Sequence, residues 1–283
     1  MPTLILQGAA LTREAAHTIA DELNAATKER GSHYTLHTDK QVSPDTLAVL
    51  RHAARFDINL LPENFNPAQV QLLVTDMDST FINIECIDEI ADFIGVKPQV
   101  AAITAATMRG EINFEASLTQ RVALLAGLDA SALEHVYNER LKPNPGAAEM
   151  VRGLHAAGIK TGLVSGGFTF FTDRLKQRFS LDYARANVLE IADARLTGRV
   201  LGKITGAAGK AEFLLELCKQ LGISPQQVVA MGDGANDLEM MKIAGLSIAY
   251  HAKPTVQAQA HAVINHGGLE CVLGLLDIGS YAA

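Results

Sequence analysis

The sequence predicts an α/β protein: a Rossmann-like parallel sheet interrupted by a helical insertion and preceded by a small α/β unit. Three observations carry this. From Val70 onward, short apolar runs alternate with stretches of helical periodicity, the pattern of parallel strands joined by crossover helices. Residues 86–154, between the first two runs, are mostly helical in period, whereas a whole strand–helix–strand unit needs only about 30 residues. Pro62-Glu63-Asn64-Phe65-Asn66-Pro67 divides the chain, because two prolines and two asparagines favour a turn or linker over regular structure.

The leading unit takes residues 1–66. Residues 3–6 read as a strand, Thr12 as the cap of a helix running to about Arg30, and residues 34–37 as a second strand. Ser43 starts a second helix, and residues 57–61 read as a third strand. His33 and His37 lie four apart, on one face of a strand, and read as exposed side chains rather than a metal pair. Residues 67–283 form the main unit. Its strands are 70–75, ending at Asp76; 159–164, ending at Ser165-Gly166-Gly167; 228–231, ending at Gly232-Asp233-Gly234; and 247–250. Ligands of open parallel sheets bind beyond the carboxyl ends of the strands, so these polar and glycine-rich ends mark the expected site. The helical insertion, at about 82–154, is expected as a cap over them. A second insertion, at about 187–203, alternates apolar residues around Asp193-Ala194 and reads as a β-hairpin.

Composition narrows the function. Apolar residues make up 48% of the chain and charged residues 19%, ordinary for a globular protein with a real core. A net charge of −7 gives no electrostatic footprint for nucleic acid. The N-terminus lacks the basic region of a signal peptide, and no run approaches the ~18 apolar residues of a membrane span. Cys86, Cys218 and Cys271 are odd in number and widely spaced, which argues against a disulfide framework or structural zinc and for a reducing, cytoplasmic setting. The sequence leaves a homodimer open.

The loops carry the chemistry. Asp76-Met77-Asp78-Ser79-Thr80 places two carboxylates one residue apart just past a buried strand. Turned to one point they repel each other, and oxygen ligands of this kind select a hard cation such as Mg²⁺. Gly232-Asp233-Gly234-Ala235-Asn236-Asp237 brings two more carboxylates to another strand end, with glycines that allow close backbone approach. Ser165-Gly166-Gly167 opens a helical stretch, where a hydroxyl and free N–H groups make an anion site. Lys210 opens a further helix and supplies a cation; the P-loop pattern fails, with Ile204 at its first glycine position and Ala211 at its last.

In order, strand placement and residue type, these four loops resemble the motifs of the haloacid dehalogenase superfamily of phosphatases, over roughly residues 70–275. The resemblance implies that Asp76 attacks phosphorus, Asp78 serves as acid and base, Ser165 with Gly166 and Lys210 binds phosphate, and Asp76, Asp78 and Asp233 hold Mg²⁺. Asn236 would contact phosphate or substrate, and Asp237 would support the site from behind. Within that superfamily, Asp76–Thr80 followed by Asn83-Ile84-Glu85, and Asn113-Phe114-Glu115-Ala116-Ser117-Leu118-Thr119-Gln120-Arg121-Val122, are similar to the phosphoserine phosphatases. That similarity implies hydrolysis of O-phospho-L-serine, the last step of L-serine biosynthesis. Glu85 would take the substrate ammonium, Arg121 its carboxylate, and Met108 and Phe114 its apolar side. Residues 1–66 loosely resemble small regulatory domains of the ACT type, with one expected strand missing. The competing expectations are a phosphatase or phosphotransferase for another small phosphometabolite, and a catalytically dead regulator; the intact Asp76, Asp78, Lys210 and Asp233 argue against the latter.

Overall fold

The computed structural model describes residues 2–279, leaving aside the side chain of Met108. The chain opens with β1 (Thr3–Gln7), α1 (Arg13–Leu23), β2 (Ala26–Glu29), β3 (His33–His37), α2 (Pro44–Ala53) and β4 (Asp57–Leu60). These strands form an antiparallel sheet in the order β2-β3-β1-β4. Thr12 and Ser43 cap the two helices by accepting from Ala15 N and Thr46 N, each satisfying an otherwise orphaned donor. Ala16, Ile19, Ala20 and Leu23 of α1 recur at helical spacing and bury against Leu4, Leu6, Leu36 and Ile58.

The first helix stops short of Arg30. Asn24 adopts the left-handed conformation (φ 50°) and ends it, and the strand absent from the sequence reading lies just beyond, at Ala26–Glu29. It runs at the sheet edge with three of its four residues exposed, so no apolar alternation marked it. The histidine face is also not open. Thr3, Ile5 and Gln7 share it with His33, Thr35 and His37, and Gly274 of the last helix packs against Gln7 and His33 there, leaving His33 only 1% exposed.

The main sheet starts at β5 (Leu72–Asp76), then come α3 (Cys86–Asp92), α4 (Lys97–Met108), α5 (Phe114–Ala123), α6 (Ser131–His135) and α7 (Ala147–Ala156). After them run β6 (Lys160–Phe168), α8 (Thr169–Phe179), β7 (Tyr183–Ala192), β8 (Arg195–Leu201), α9 (Ala207–Leu221), β9 (Val228–Gly232), α10 (Leu238–Ile243), β10 (Leu246–Tyr250), α11 (Pro254–Gln257), β11 (Ala262–Ile264) and α12 (Cys271–Leu275). The strand order is β11-β10-β9-β5-β6-β7-β8, parallel except for β8. From β5 the chain builds outward through β6, returns to β9, and builds out the other way. That reversal makes the end of β5 the topological switch point, where a crevice forms and ligands bind. Every residue of β5 and β9 is buried, as strands covered on both faces require.

The hairpin lies where the sequence places it, but its first strand begins earlier, at Tyr183. The first part of β7 pairs in parallel with β6, and only its later part turns back through Asp193 and Ala194, both at positive φ, to pair with β8. Ser165-Gly166-Gly167 does not start the helix as expected. β6 continues to Phe168 through an irregularity after Val164, stabilised where Asn187 Nδ2 donates to Gly166 O at 2.9 Å. The short β11 carried no sequence signal. Its outer edge is closed by side chains of β4: Asn59 donates to Val263 O and accepts from Val263 N, both at 2.8 Å, as a neighbouring peptide would. Among the described residues no helix is long and apolar enough to cross a membrane.

Candidate active site

The register of the sheet aligns Asp76 with Val164 and Thr75 with Met231, so the loops after β5, β6 and β9 leave the sheet side by side. Asp76 is the last residue of β5 and is buried. The chain then makes one wide turn over Met77–Phe81, closed by Ile82 N donating to Met77 O at 3.0 Å, with Ser79 at φ 58°. This sends the buried Met77 side chain into the core and brings Asp78 back to the site. Asp78 Oδ1 accepts from Cys86 N at 2.9 Å, and Oδ2 accepts from Ser165 Oγ at 2.8 Å.

Lys210 is fully buried, and its Nζ donates to Asp76 Oδ1 at 2.5 Å and to Asp237 Oδ1 at 2.6 Å. Burial pushes this ammonium down, but Asp237 and Asp76 outweigh it and hold its pKa above the ordinary lysine value. Asp237 Oδ2 accepts from Gly234 N at 3.0 Å, which pins the β9 loop. Gly232 is required there, since a Cβ would stand 2.3 Å from the Asp237 carboxylate. Asp233 projects forward, held by Thr80 Oγ1 at 3.3 Å. Carboxylate oxygens of Asp76, Asp233 and Asp237 lie within 4.8 Å of one another.

That cluster fits a hard dication. The cavity wall carries the carboxylates Asp76, Asp78, Glu85, Asp88 and Asp233 against the cations Arg121 and Lys253, with Lys210 behind Asp76, so acidic side chains outnumber basic ones. The pKa values register the strain. Asp76 is pushed well up by burial and by Asp237, with Lys210 opposing, and Asp233 is pushed up to about 6 by burial and Asp237. For both groups the folded-state pKa exceeds the unfolded one, so the folded chain holds extra protons above about pH 4. It therefore loses stability as pH rises, for Asp233 through about pH 6. A cation bound to the ionised carboxylates offsets that loss. The rise in melting temperature caused by Mg²⁺ is expected to be small at pH 5 and to grow toward pH 8. A thermal shift that stays flat across that range would rule out a cation on these carboxylates.

The helical insertion supplies the far wall. Glu85, Phe114 and Arg121 line one cavity of about 540 Å³ together with Asp76, Asp78, Gly166, Asp233 and Asn236. The Phe114 ring lies over the β6 loop so closely that a Cβ on Gly166 would approach it to 2.8 Å. Glu85 accepts from Ser79 Oγ at 2.8 Å, and burial, then Asp78, raises its pKa to about 8. Burial pulls the Arg121 guanidinium down while Asp88, Glu85 and Asp78 pull it up. The Met108 side chain lies outside the described residues. Asp88, Ser117 and Lys253, which were not singled out from the sequence, also line the cavity; Asp88 and Lys253 lie outside the four loops, and Ser117 is one small polar residue within α5.

The sequence profile of the haloacid dehalogenase-like hydrolases matches residues 70–245. The chain belongs to that family. Among curated proteins it is 54% identical, over 224 residues covering 77% of this chain and 95% of the relative, to a phosphoserine phosphatase of Polaromonas sp.. A phospho-aspartyl intermediate analogue of phosphoserine phosphatase superposes with a TM-score of 0.68 at 41% identity, over 73% of this chain and 98% of that one. A haloacid dehalogenase family hydrolase from Salmonella enterica serovar Typhi superposes with a TM-score of 0.88 at 33% identity, over 98% and 99% of the two chains. That last match takes in the leading four-stranded unit as well.

Proposed function

We propose that this protein is a phosphoserine phosphatase, hydrolysing O-phospho-L-serine to L-serine and phosphate through an aspartyl phosphate on Asp76. The observation that carries the substrate is the pairing of Glu85 with Arg121 on the wall of the cavity that holds Asp76 and Asp78. One carboxylate and one guanidinium beside a phosphate site suit a phosphate ester that also bears an ammonium and a carboxylate. The Polaromonas relative, described as a phosphoserine phosphatase, supports the same reading.

Asp76, held by Lys210, attacks phosphorus, and the bond from phosphorus to the serine oxygen breaks. Serine alkoxide is a poor leaving group, so Asp78 delivers a proton to it. Asp78 then takes a proton from water, whose oxygen attacks the aspartyl phosphate and releases inorganic phosphate with Asp76 regenerated. Ser165 Oγ and the N–H groups of its loop, that of Gly166 included, hold the phosphate oxygens. Asn236 lines the same cavity and would contact phosphate or substrate, and Asp237 keeps Lys210 in place. A dication, Mg²⁺ in this reading, fits Asp76, Asp233 and the Asp78 backbone carbonyl, and its charge would offset the repulsion between the nucleophile and the phosphate. Residues 82–154 act as a cap that chooses the substrate and excludes water. Residues 1–66 form an ACT-like domain, a reading supported by their strand–helix–strand–strand–helix–strand order.

The test separates cap from floor. Charge-assisted hydrogen bonds contribute about 1.5–3 kcal/mol each, so Glu85→Ala and Arg121→Ala should each lower kcat/KM for phosphoserine roughly tenfold to a hundredfold. An aryl phosphate lacks both partner groups, so its kcat/KM should fall much less. Parallel losses on both substrates would remove the claim of phosphoserine.

A further inference from the structure

We propose that Ser117 is a specificity-determining contact, its hydroxyl donating a hydrogen bond to the substrate carboxylate beside Arg121. The inference rests on the phosphoserine reading and adds a residue to it. Ser117 lies on α5 and is fully buried, yet lines the cavity, and its Oγ has no hydrogen-bond partner among the described residues. A buried hydroxyl without a partner is costly and is normally avoided.

An easy remedy was at hand. Helical Ser and Thr hydroxyls often donate to the carbonyl four residues back. Thr104, Thr107 and Thr119 of the same insertion do so, to Val100, Ile103 and Glu115. Ser117 makes no such bond to Asn113. Its helical position explains what it is kept for. Phe114, Ser117 and Arg121 fall at i, i+3 and i+7, one face of α5, and all three line the cavity. Arg121 is tied to this turn, its Nε donating to Ser117 O at 3.4 Å. An anion drawn to the guanidinium therefore arrives beside a free hydroxyl donor. The substrate carboxylate has lone pairs left over from an arginine pairing, and one hydrogen bond from Ser117 would satisfy both groups.

The expected signature is a loss of function with no loss of stability. Ser117→Ala removes an unsatisfied polar atom from the free protein, so its melting temperature should hold or rise. The same change should lower kcat/KM for O-phospho-L-serine about tenfold, and the loss should not extend to O-phosphoethanolamine, which lacks only the carboxylate. The ratio of the two kcat/KM values is therefore the readout, measured on wild type and S117A beside a melting curve. A ratio unchanged by S117A, or a fall in melting temperature with equal losses on both substrates, overturns the assignment. Wild type showing no preference for phosphoserine over phosphoethanolamine or an aryl phosphate overturns the substrate reading itself, and the inference with it.

Discussion

Asp76→Asn is expected to reduce turnover of phosphoserine by about 10⁴–10⁶-fold, the scale seen when members of a covalent catalytic unit are removed. The amide keeps the shape of the carboxylate and cannot attack phosphorus. It should also leave the fold intact. Asp76 is buried, and burial together with Asp237 already disfavours its charge, so a neutral group in its place relieves that repulsion. Lys210 keeps Asp237 as its ion-pair partner at 2.6 Å. The measurement is steady-state hydrolysis beside a melting curve, with borohydride reduction of the phosphorylated wild type to mark the modified residue. Turnover within a hundredfold of wild type, or borohydride labelling elsewhere than Asp76, would move the nucleophile to another group.

The residues of this site were legible because they break the local rules of burial. Asp76 and Asp233 each end or follow a fully buried apolar strand, where a carboxylate is costly unless something compensates it. A charge in such a place announces chemistry. Lys210 showed the same conflict less openly, since its complete burial in α9 appears only when Asp76 and Asp237 meet it from two other loops. What stayed hidden lacked that conflict. Ala26–Glu29 has the composition of an exposed helix end, and only its place beside β3 makes it a strand. His33 sits on a strand whose polar face is covered by α12, a contact between segments distant in sequence. Ser165 was found, but not its backbone, because the stretch of β6 past Val164 is set by Asn187 on β7. Ser117 was invisible for the plainest reason: one serine in a helix is ordinary until its hydroxyl is seen to have no partner.

Asp78→Asn is the second large effect, and here the loss should depend on the leaving group. Both oxygens of Asp78 are engaged, Oδ1 by Cys86 N–H and Oδ2 by Ser165 O–H. An asparagine can keep this frame: its carbonyl oxygen accepts from Cys86 N, and its amide donates to Ser165 Oγ once that hydroxyl rotates. The fold and the position of Ser165 should survive, so the change isolates proton transfer. Serine leaves as an alkoxide unless it is protonated, and general acid–base catalysis contributes roughly 10²–10⁴-fold. Formation of the phosphoenzyme from phosphoserine should slow by about that factor. A nitrophenyl phosphate releases a far weaker base, so its phosphoenzyme should form with a much smaller loss. Hydrolysis of the phosphoenzyme, which needs Asp78 as a base, should slow to the same extent whichever substrate formed it. Rapid-quench measurement of the two steps on the two substrates decides the matter. Equal losses in phosphoenzyme formation from phosphoserine and from the aryl ester would mean that Asp78 only holds Ser165 in place, and the acid would have to be sought elsewhere on the cavity wall.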